Sequence, residues 1–336
     1  MKQGEEKLYA VALLFKRGIG YKKAEQLLSS YGSLSDAVKE EGIELSQELK
    51  RAEEELEKAE EIDAKIITFI DEDYPKELLS LSQPPLALYV KGEIPQTKRI
   101  AIVGSRRCSD YGRRTAYKLS SMLSSSGVCV VSGLAVGIDS AAHRGALGGG
   151  GKTVAVLGSS LDRLYPASNK ALAEKIVSDG GAIVSEFPFG TQAKRELFPR
   201  RNRIIAALSE AVLVVEAMEK SGAFITVDHA LEIGKEVFAV PGNIDSPYSR
   251  GSNRLIAEGA TPVWDAEEFV SSFAPKKVQR EPEEFKEVYF ALLDSPSTVD
   301  ELSQRLGMDA PALSYALTIL EMEGFVKREG IKWIAL

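Results

Sequence analysis

Cysteine, histidine and long apolar runs are all scarce in this chain of 336 residues. Cys108 and Cys129 are its only cysteines, in neither CxxC nor metal-ligand spacing, which excludes a disulfide scaffold and fits a reducing cytoplasm. The two histidines, His143 and His229, assemble no Ser/His/Asp or metal constellation, so no catalytic residue, metal or cofactor is expected. His143, in SAAHRGA on an expected helix, reads as a packing residue. No apolar run approaches the length that spans a bilayer, and the charged start MKQGEEKLYA carries no export signal, so neither membrane nor secretion is expected. Positive charge is also in deficit: the formal net charge is −7. That excludes a histone-like cationic coat but says nothing of local patches.

What is present divides into blocks. Residues 1–64 read as a small helical domain ending in the charged run KRAEEELEKAEEID, a solvated helix face. Residues 65–272 alternate strand and helix signals. The apolar runs RIAIV, VCVVSG, TVAVLG, AIVSE, AVLVVEA and EVFAVPG are separated by helical patterns such as TAYKLSSML and KALAEKIVSDG. Near-continuous apolar strands between helices predict a doubly wound, Rossmann-like parallel sheet covered on both faces, with ligands outside the carboxyl ends of its strands. Residues 273–282 form a linker rich in Pro and charge, and residues 283–336 form a third small domain.

Function is therefore expected in the loops at those strand ends. One holds Gly104-Ser105-Arg106-Arg107, and a second holds Ser132-Gly133-Leu134-Ala135-Val136-Gly137. Glycines allow backbone amides to approach a phosphate, and the helix that follows favours negative charge. Neither loop is GxGxxG, however, and tight turns with Arg106 in a surface ion pair are the alternative. A third loop leads into FPRRNRIIAALSEAVLVVEA. Between Gly190 and Ile204 it carries Lys194, Arg195, Arg200, Arg201 and Arg203 against Glu196 alone, and Lys98 to Arg114 is similarly basic. Cations at a helix start oppose its macrodipole by about 0.3–1 kcal/mol each, a conflict that a phosphate removes. With Phe198 available for stacking beside arginine forks, the pattern suits a single-stranded nucleic acid better than a lone nucleotide. Arg203 has a scaffold alternative, pairing with Glu186 or Glu216.

GSRRCSDYG, SGLAVGIDSAAH, LYPASN, SEFPFG, FPRRNRIIAALS, SGAFITVDHALEIGKEVFAVPG and GSNRLIAEGA occur in order over about residues 65–265. They resemble the successive motifs of the DNA-processing protein A family, also called Smf. The resemblance implies a non-catalytic protein that binds and protects single-stranded DNA and loads the RecA recombinase onto it in natural transformation. It also implies a homodimer formed through the Rossmann-like domain. Family DNA contacts carry over to Arg106, Arg195, Phe198, and Arg201 and Arg203 around Asn202, with Gly104, Ser105, Ser132, Gly133, Ala135 and Gly137 in the adjoining loops. The family often has lysine near position 195, where this chain has Arg195 beside Lys194.

The flanking domains are less telling. KRGIGYKKAEQLL carries a helix-hairpin-helix-like turn at Gly18-Ile19-Gly20, either a phosphate contact with Lys22 and Lys23 or a structural turn. The last domain reads as a winged helix cored by Leu302, Leu306, Leu313, Leu317 and Leu320. Its would-be recognition helix, APALSYALTILEMEG, has no Lys or Arg, which makes it an accessory rather than a groove reader. The rival reading is a nucleotide-processing, phosphoribohydrolase-like enzyme. Such proteins carry PGGxGTxxE, whereas this chain has Ser221-Gly222-Ala223-Phe224-Ile225-Thr226-Val227-Asp228-His229, with the acid position taken by His229.

Overall fold

The computed structural model of the chain describes residues 2–274 and 282–335; most of the expected linker, 273–282, lies outside the described residues. Two compact units are present, Met1–Pro275 and Lys276–Leu336.

The first unit opens with four helices, α1 (Lys2–Leu13), α2 (Tyr21–Tyr31), α3 (Leu34–Glu40) and α4 (Ser46–Glu61). The sheet follows: β1 (Lys65–Thr68), β2 (Ala87–Gly92), β3 (Arg99–Val103), β4 (Cys129–Ser132), β5 (Thr153–Val156), β6 (Ala182–Ser185), β7 (Ala211–Val214), β8 (Glu236–Ala239) and β9 (Thr261–Pro262). Between and after the strands lie α5 (Asp110–Ser125), α6 (Ile138–Gly148), α7 (Lys170–Ser178), α8 (Leu197–Ala207), α9 (Ala223–Glu232), α10 (Arg250–Ala257) and α11 (Ala266–Phe273).

The strands form one sheet in the order β1-β2-β6-β5-β4-β3-β7-β8-β9. From β6 to β9 neighbouring strands run parallel, whereas β2 lies antiparallel to both β1 and β6. The expected Rossmann-like sheet is thus observed, with an antiparallel edge in addition. Side-chain alternation divides β3 between two cores. Ile100 and Ile102 pack with Leu119 of α5 and Ala142 of α6, while Ala101 and Val103 pack with Ile204 of α8 and Val227 of α9. Each of the Ile, Val and Leu side chains among these contributes about 1.5–3 kcal/mol on full burial, so one-residue slippage of the register is strongly opposed.

This order has a functional consequence. From β3 the chain steps outward through β4 and β5 to β6, then returns to place β7 on the other side of β3. The loops after β3 and β7 therefore diverge, and they open a crevice at the carboxyl ends of those strands.

The second unit contains α12 (Lys286–Asp294), α13 (Val299–Leu306), α14 (Ala310–Met322) and the hairpin of β10 (Val326–Glu329) with β11 (Lys332–Ala335). It has its own core, in which Leu302, Leu313, Leu317 and Leu320 are fully buried and Leu306 is partly so. Thr298 and Glu301 form a reciprocal capping box at the start of α13, and Asp309 caps α14.

Candidate nucleic-acid interface

A cleft of about 810 Å³ lies at this crevice, lined by the loops after β3 and β7 and by the starts of α8 and α9. Of the expected site residues it brings together Gly104, Ser105, Arg106, Ala135, Arg195, Phe198, Arg201 and Asn202.

The loop after β3 is held rigidly. Glu216, just beyond β7, is buried; its carboxylate accepts from the Ser109 amide at 2.8 Å and the Ser109 hydroxyl at 2.6 Å. Its carbonyl accepts from the Ser105 amide at 2.7 Å. Ser109 in turn caps α5 through the Gly112 amide. Three bonds to one residue of β7's exit thus fix the segment that projects Arg106 and Arg107 into solvent.

Arg106 does not form the surface ion pair considered for it. Its guanidinium stacks 4.6 Å over the Phe198 ring, and Tyr165 approaches that ring at 5.9 Å between centroids. Arg106, Arg107, Lys194 and Arg195 are all exposed, and none has a carboxylate within ion-pair distance among the described residues. Lys220, from the loop after β7, adds a further cation to the lining.

Beneath this rim the arrangement changes character, and several expected contacts are corrected. Arg201 is buried at 4% exposure; it donates to the Gly133 carbonyl at 2.7 Å, to the Val156 carbonyl and to Asn202 Oδ1 at 3.0 Å. Burial pulls its pKa down to about 10, with Asp139 acting to raise it and Arg106 to lower it. Burial likewise pushes the Asp139 carboxyl above its usual range, against the pull of Arg201. Arg201 is therefore held as a strut joining α8 to the loops after β4 and β5, and it lines the cleft from beneath. Asn202 Nδ2 extends the strut to the Gly222 carbonyl at 3.4 Å.

The glycines also serve the protein itself. A Cβ on Gly133 would lie 2.5 Å from the Arg201 guanidinium, and one on Gly137 would lie 2.5 Å from the Ser105 carbonyl. Gly137 also has φ +89, a backbone conformation that side chains disfavour. Their missing side chains make room for protein atoms, where the expectation was room for phosphate. Ser132 is fully buried and donates to the Ile102 carbonyl at 2.6 Å, which removes it from the interface.

Arg203 follows its scaffold alternative. It turns away from the cleft, pairs with Glu186 and donates to the Gln83 carbonyl at 2.7 Å. Arg200 pairs with the same carboxylate at 3.2 Å. Of the basic run Lys98–Arg114, Arg99 begins β3 at the far end of the sheet, where it bonds the carbonyls of Leu208 and Pro95. Arg107, Tyr165, Lys220, Ser221 and Thr226 line the cleft without having been singled out for it. Arg107 and Lys220 stand in expected strand-end loops, so charge and position together mark them. The placement of Tyr165 against Phe198 has no local sequence signal.

The residues of the rival enzyme reading are dispersed. His143 is a fully buried residue of α6 with Nδ1 2.8 Å from Thr153 Oγ1, and burial lowers its pKa to about 3. His229 is on α9, 3.1 Å from Glu232 and outside the cleft lining. Among the described residues, no group of three or more His, Cys, Asp or Glu side chains is placed to hold a metal. None of their helices is long and apolar enough to cross a membrane.

Known proteins are similar to this chain over most of its length. A family model for DNA recombination-mediator protein A matches residues 65–274, and one for the DprA winged helix domain matches residues 274–330. Protein Smf of Escherichia coli K12 is 39% identical over 272 residues, covering 76% of this chain and 73% of that protein. The crystal structure of DNA processing protein A from Streptococcus pneumoniae superposes with TM-score 0.65 at 34% identity, covering 79% of this chain and 98% of that one. The Helicobacter pylori protein, described for its single-stranded DNA binding mode, superposes with TM-score 0.56 at 29% identity, covering 62% of this chain and 94% of that one.

Proposed function

The chain belongs to the DNA recombination-mediator protein A family, and from that premise we propose that it binds single-stranded DNA along the strand-end cleft, without turnover, and presents it to a RecA-type recombinase. The observation that carries this reading is the rim. Three exposed cations with no ion-pair partner among the described residues, Arg106, Arg107 and Arg195, line the cleft with an aromatic platform made by Arg106 on Phe198 beside Tyr165, and the expected Lys194 is exposed next to Arg195 but outside the lining. Cations bind the phosphates of any sequence, and a ring with a guanidinium over it stacks on any base. A strand whose bases are already unpaired satisfies both elements at once, whereas a duplex offers only its phosphates.

Binding without chemistry is supported by the polar groups beneath the rim. The carboxylate lining the cleft, Asp139, is committed to Arg201 and to the Ala135 amide at 3.4 Å. Neither histidine reaches the lining. The roles of recombinase loader, of homodimer assembled through the sheet-bearing unit and of cytoplasmic residence rest on membership of the family. A rim of cations and an aromatic platform suits them, since a handed-over strand must be held by contacts that read no sequence.

The test is fluorescence anisotropy with labelled oligo-dT and a duplex of equal length, titrated with salt. Five lining or rim cations, with Lys220 as the fifth, predict a slope of log affinity against log salt of about −3.5 on the single strand. Tighter or equal binding of the duplex overturns the reading. Release of base or phosphate from nucleotides by purified protein overturns the non-catalytic part alone.

A further inference from the structure

One wall of the strand-end cleft is a loop with little structure of its own. Between the end of β6 and the start of α8, Ala193, Arg195 and Phe198 line the cleft, and Lys194 is exposed beside them. None of the amides of residues 192–196 donates a hydrogen bond to another described residue. Where those cations point must therefore be set from the two ends of the loop.

Both ends are held by one short segment, residues 161–165. At the far end Tyr165 lies against the Phe198 ring, 5.9 Å between centroids. At the near end the Asp162 carboxylate accepts from the Gly190 amide at 3.0 Å, from the Ser160 hydroxyl at 2.7 Å and from Lys58 of α4 at 2.9 Å. Burial acts to raise the Asp162 pKa, but the Gly190 amide, Lys58 and Ser160 outweigh it and hold the carboxyl down at about 2. Asp162 is thus ionised at neutral pH, and its bonds to the loop are charge-assisted.

The bonded turn is itself well defined. Gly190 takes φ +81, a left-handed conformation in which a side chain would be strained. The Thr191 amide closes the turn on the Pro188 carbonyl at 3.2 Å, and the Ser160 amide donates to the Thr191 carbonyl at 3.0 Å. Glu55 of α4, itself buried, accepts from the Phe189 amide at 3.1 Å, and Lys58 lies 5.0 Å over the Phe189 ring. Two consecutive amides, of Phe189 and Gly190, are each held by a carboxylate that does not line the cleft. By its charge alone Asp162 opposes the approach of a polyanion to this loop, whereas its bonds act in the other direction.

We propose that Asp162 is a positioning residue for strand binding: by pinning Gly190 it presents Arg195 and Phe198 to the strand without touching it, with Glu55 as the second pin. The inference rests on the reading of the cleft as a single-strand site and names what orders one of its walls.

The test is Asp162→Ala, with Asp162→Asn as the variant that retains an acceptor oxygen for Gly190. Oligo-dT affinity, its salt slope and the rate of trypsin cleavage after Lys194 and Arg195 are measured at a temperature where melting curves show every protein folded. Unpinning leaves the phosphate contacts of the bound state in place but makes the competent loop a minority of the free protein. Affinity then falls by that fraction: Asp162→Ala should bind about tenfold more weakly, for a competent population of about one tenth, with the salt slope unchanged. Trypsin should cut the released loop about tenfold faster or more, because cleavage follows the population of the open form. Asp162→Asn should recover most of both losses. Charge alone predicts the opposite sign, since removing an acid tightens the binding of an anion. An Asp162→Ala protein that binds as tightly as the parent or more tightly overturns the positioning role. So does a weakened one whose loop is cut at the parent's rate, or whose Asn counterpart is no better. Arg195→Ala separates the two failures. Parent-like binding there removes the loop from the site and takes the proposal down with the first reading, whereas weakened binding there beside an unaffected Asp162→Ala overturns the positioning role alone.

Discussion

Replacing Arg201 by methionine separates strut from ligand more sharply than any change at the rim. The side chain keeps its aliphatic stem, but Asp139 loses its buried cation and the carbonyls of Gly133 and Val156 lose their donor. Leaving those two buried carbonyls without a donor costs about 1–3 kcal/mol each. Burial already holds the Asp139 carboxyl above its usual range, and Arg201 is the largest influence opposing that rise. Without Arg201 the carboxyl rises further, so the deficit of the variant must shrink as pH falls and grow as pH rises. At about 2–4 °C per kcal/mol for a unit of this size, a loss of about 2–6 kcal/mol lowers Tm by roughly 4–24 °C at neutral pH. Asp139→Asn combined with Arg201→Met should restore part of the loss and abolish its pH dependence, because no charge is then orphaned. Calorimetric melts at pH 5 and pH 7, with a salt titration of oligo-dT binding at a temperature where both proteins are folded, provide the measurement. An Arg201→Met protein that melts with the parent, yet shows a salt slope shallower by about 0.7, would refute the strut and restore Arg201 as a phosphate ligand.

At the rim, Arg106→Ala should weaken oligo-dT binding and flatten the salt slope by about 0.7, whereas Phe198→Ala should cost about 1–3 kcal/mol of affinity with the slope unchanged, because stacking releases no counterions. Equal slopes in both variants would contradict the division of labour. His143 stays neutral to about pH 3 in the fold, against an ordinary 6.5, so protonation of the unfolded chain removes stability as pH falls from about 6.5 toward 3. That amounts to about 2 kcal/mol at pH 5, and His143→Gln should lose less between pH 7 and pH 5 than the parent in urea titrations; parallel curves would refute it. Truncation after residue 274 should leave oligonucleotide affinity within a few-fold. Helix α14 has no Lys or Arg, and Lys327 and Lys332 are matched by Glu329 at 2.6 Å and Glu301 at 3.9 Å. A hundredfold loss in a folded truncation would show a cationic surface unaccounted for.

The six central strands could be read from runs of β-branched residues, because a strand buried on both faces leaves a continuous apolar signature. Strands β1 and β2 could not. KIIT is four residues long, and ALYVKG follows a Pro-rich passage, so neither stands in the strand–helix–strand alternation that made the others legible. The site was legible at the level of loops and much less so at the level of single arginines. Arg200, Arg201 and Arg203 are near neighbours in sequence, yet α8 sends Arg201 inward and Arg200 and Arg203 to the far side. Which face of a helix meets the sheet is decided by packing. The hundred-degree step per residue then assigns chemically identical side chains to different tasks. Glu186 was one of two carboxylates offered to Arg203 by sequence, and only the return of β6 beside the start of α8 selects it over Glu216, which the Ser109 loop has already claimed.

The antiparallel edge of the sheet has a consequence for how the protein comes apart. Ile66, Ala87 and Tyr89 of β1 and β2 share one apolar cluster with Leu13, Leu27 and Leu34 of the preceding helices, while Leu88 and Val90 of the same β2 belong to the sheet's own core. The two hydrophobic bodies thus meet across the antiparallel edge of the sheet, and neither can melt without baring a face of the other. A fragment starting at Lys65, the residue where the family match begins, would carry that face naked on its surface, next to an outermost strand whose backbone groups are open to pairing. Such a fragment should self-associate or need detergent to stay dispersed, and the intact unit should lose its helices and its sheet in one cooperative step.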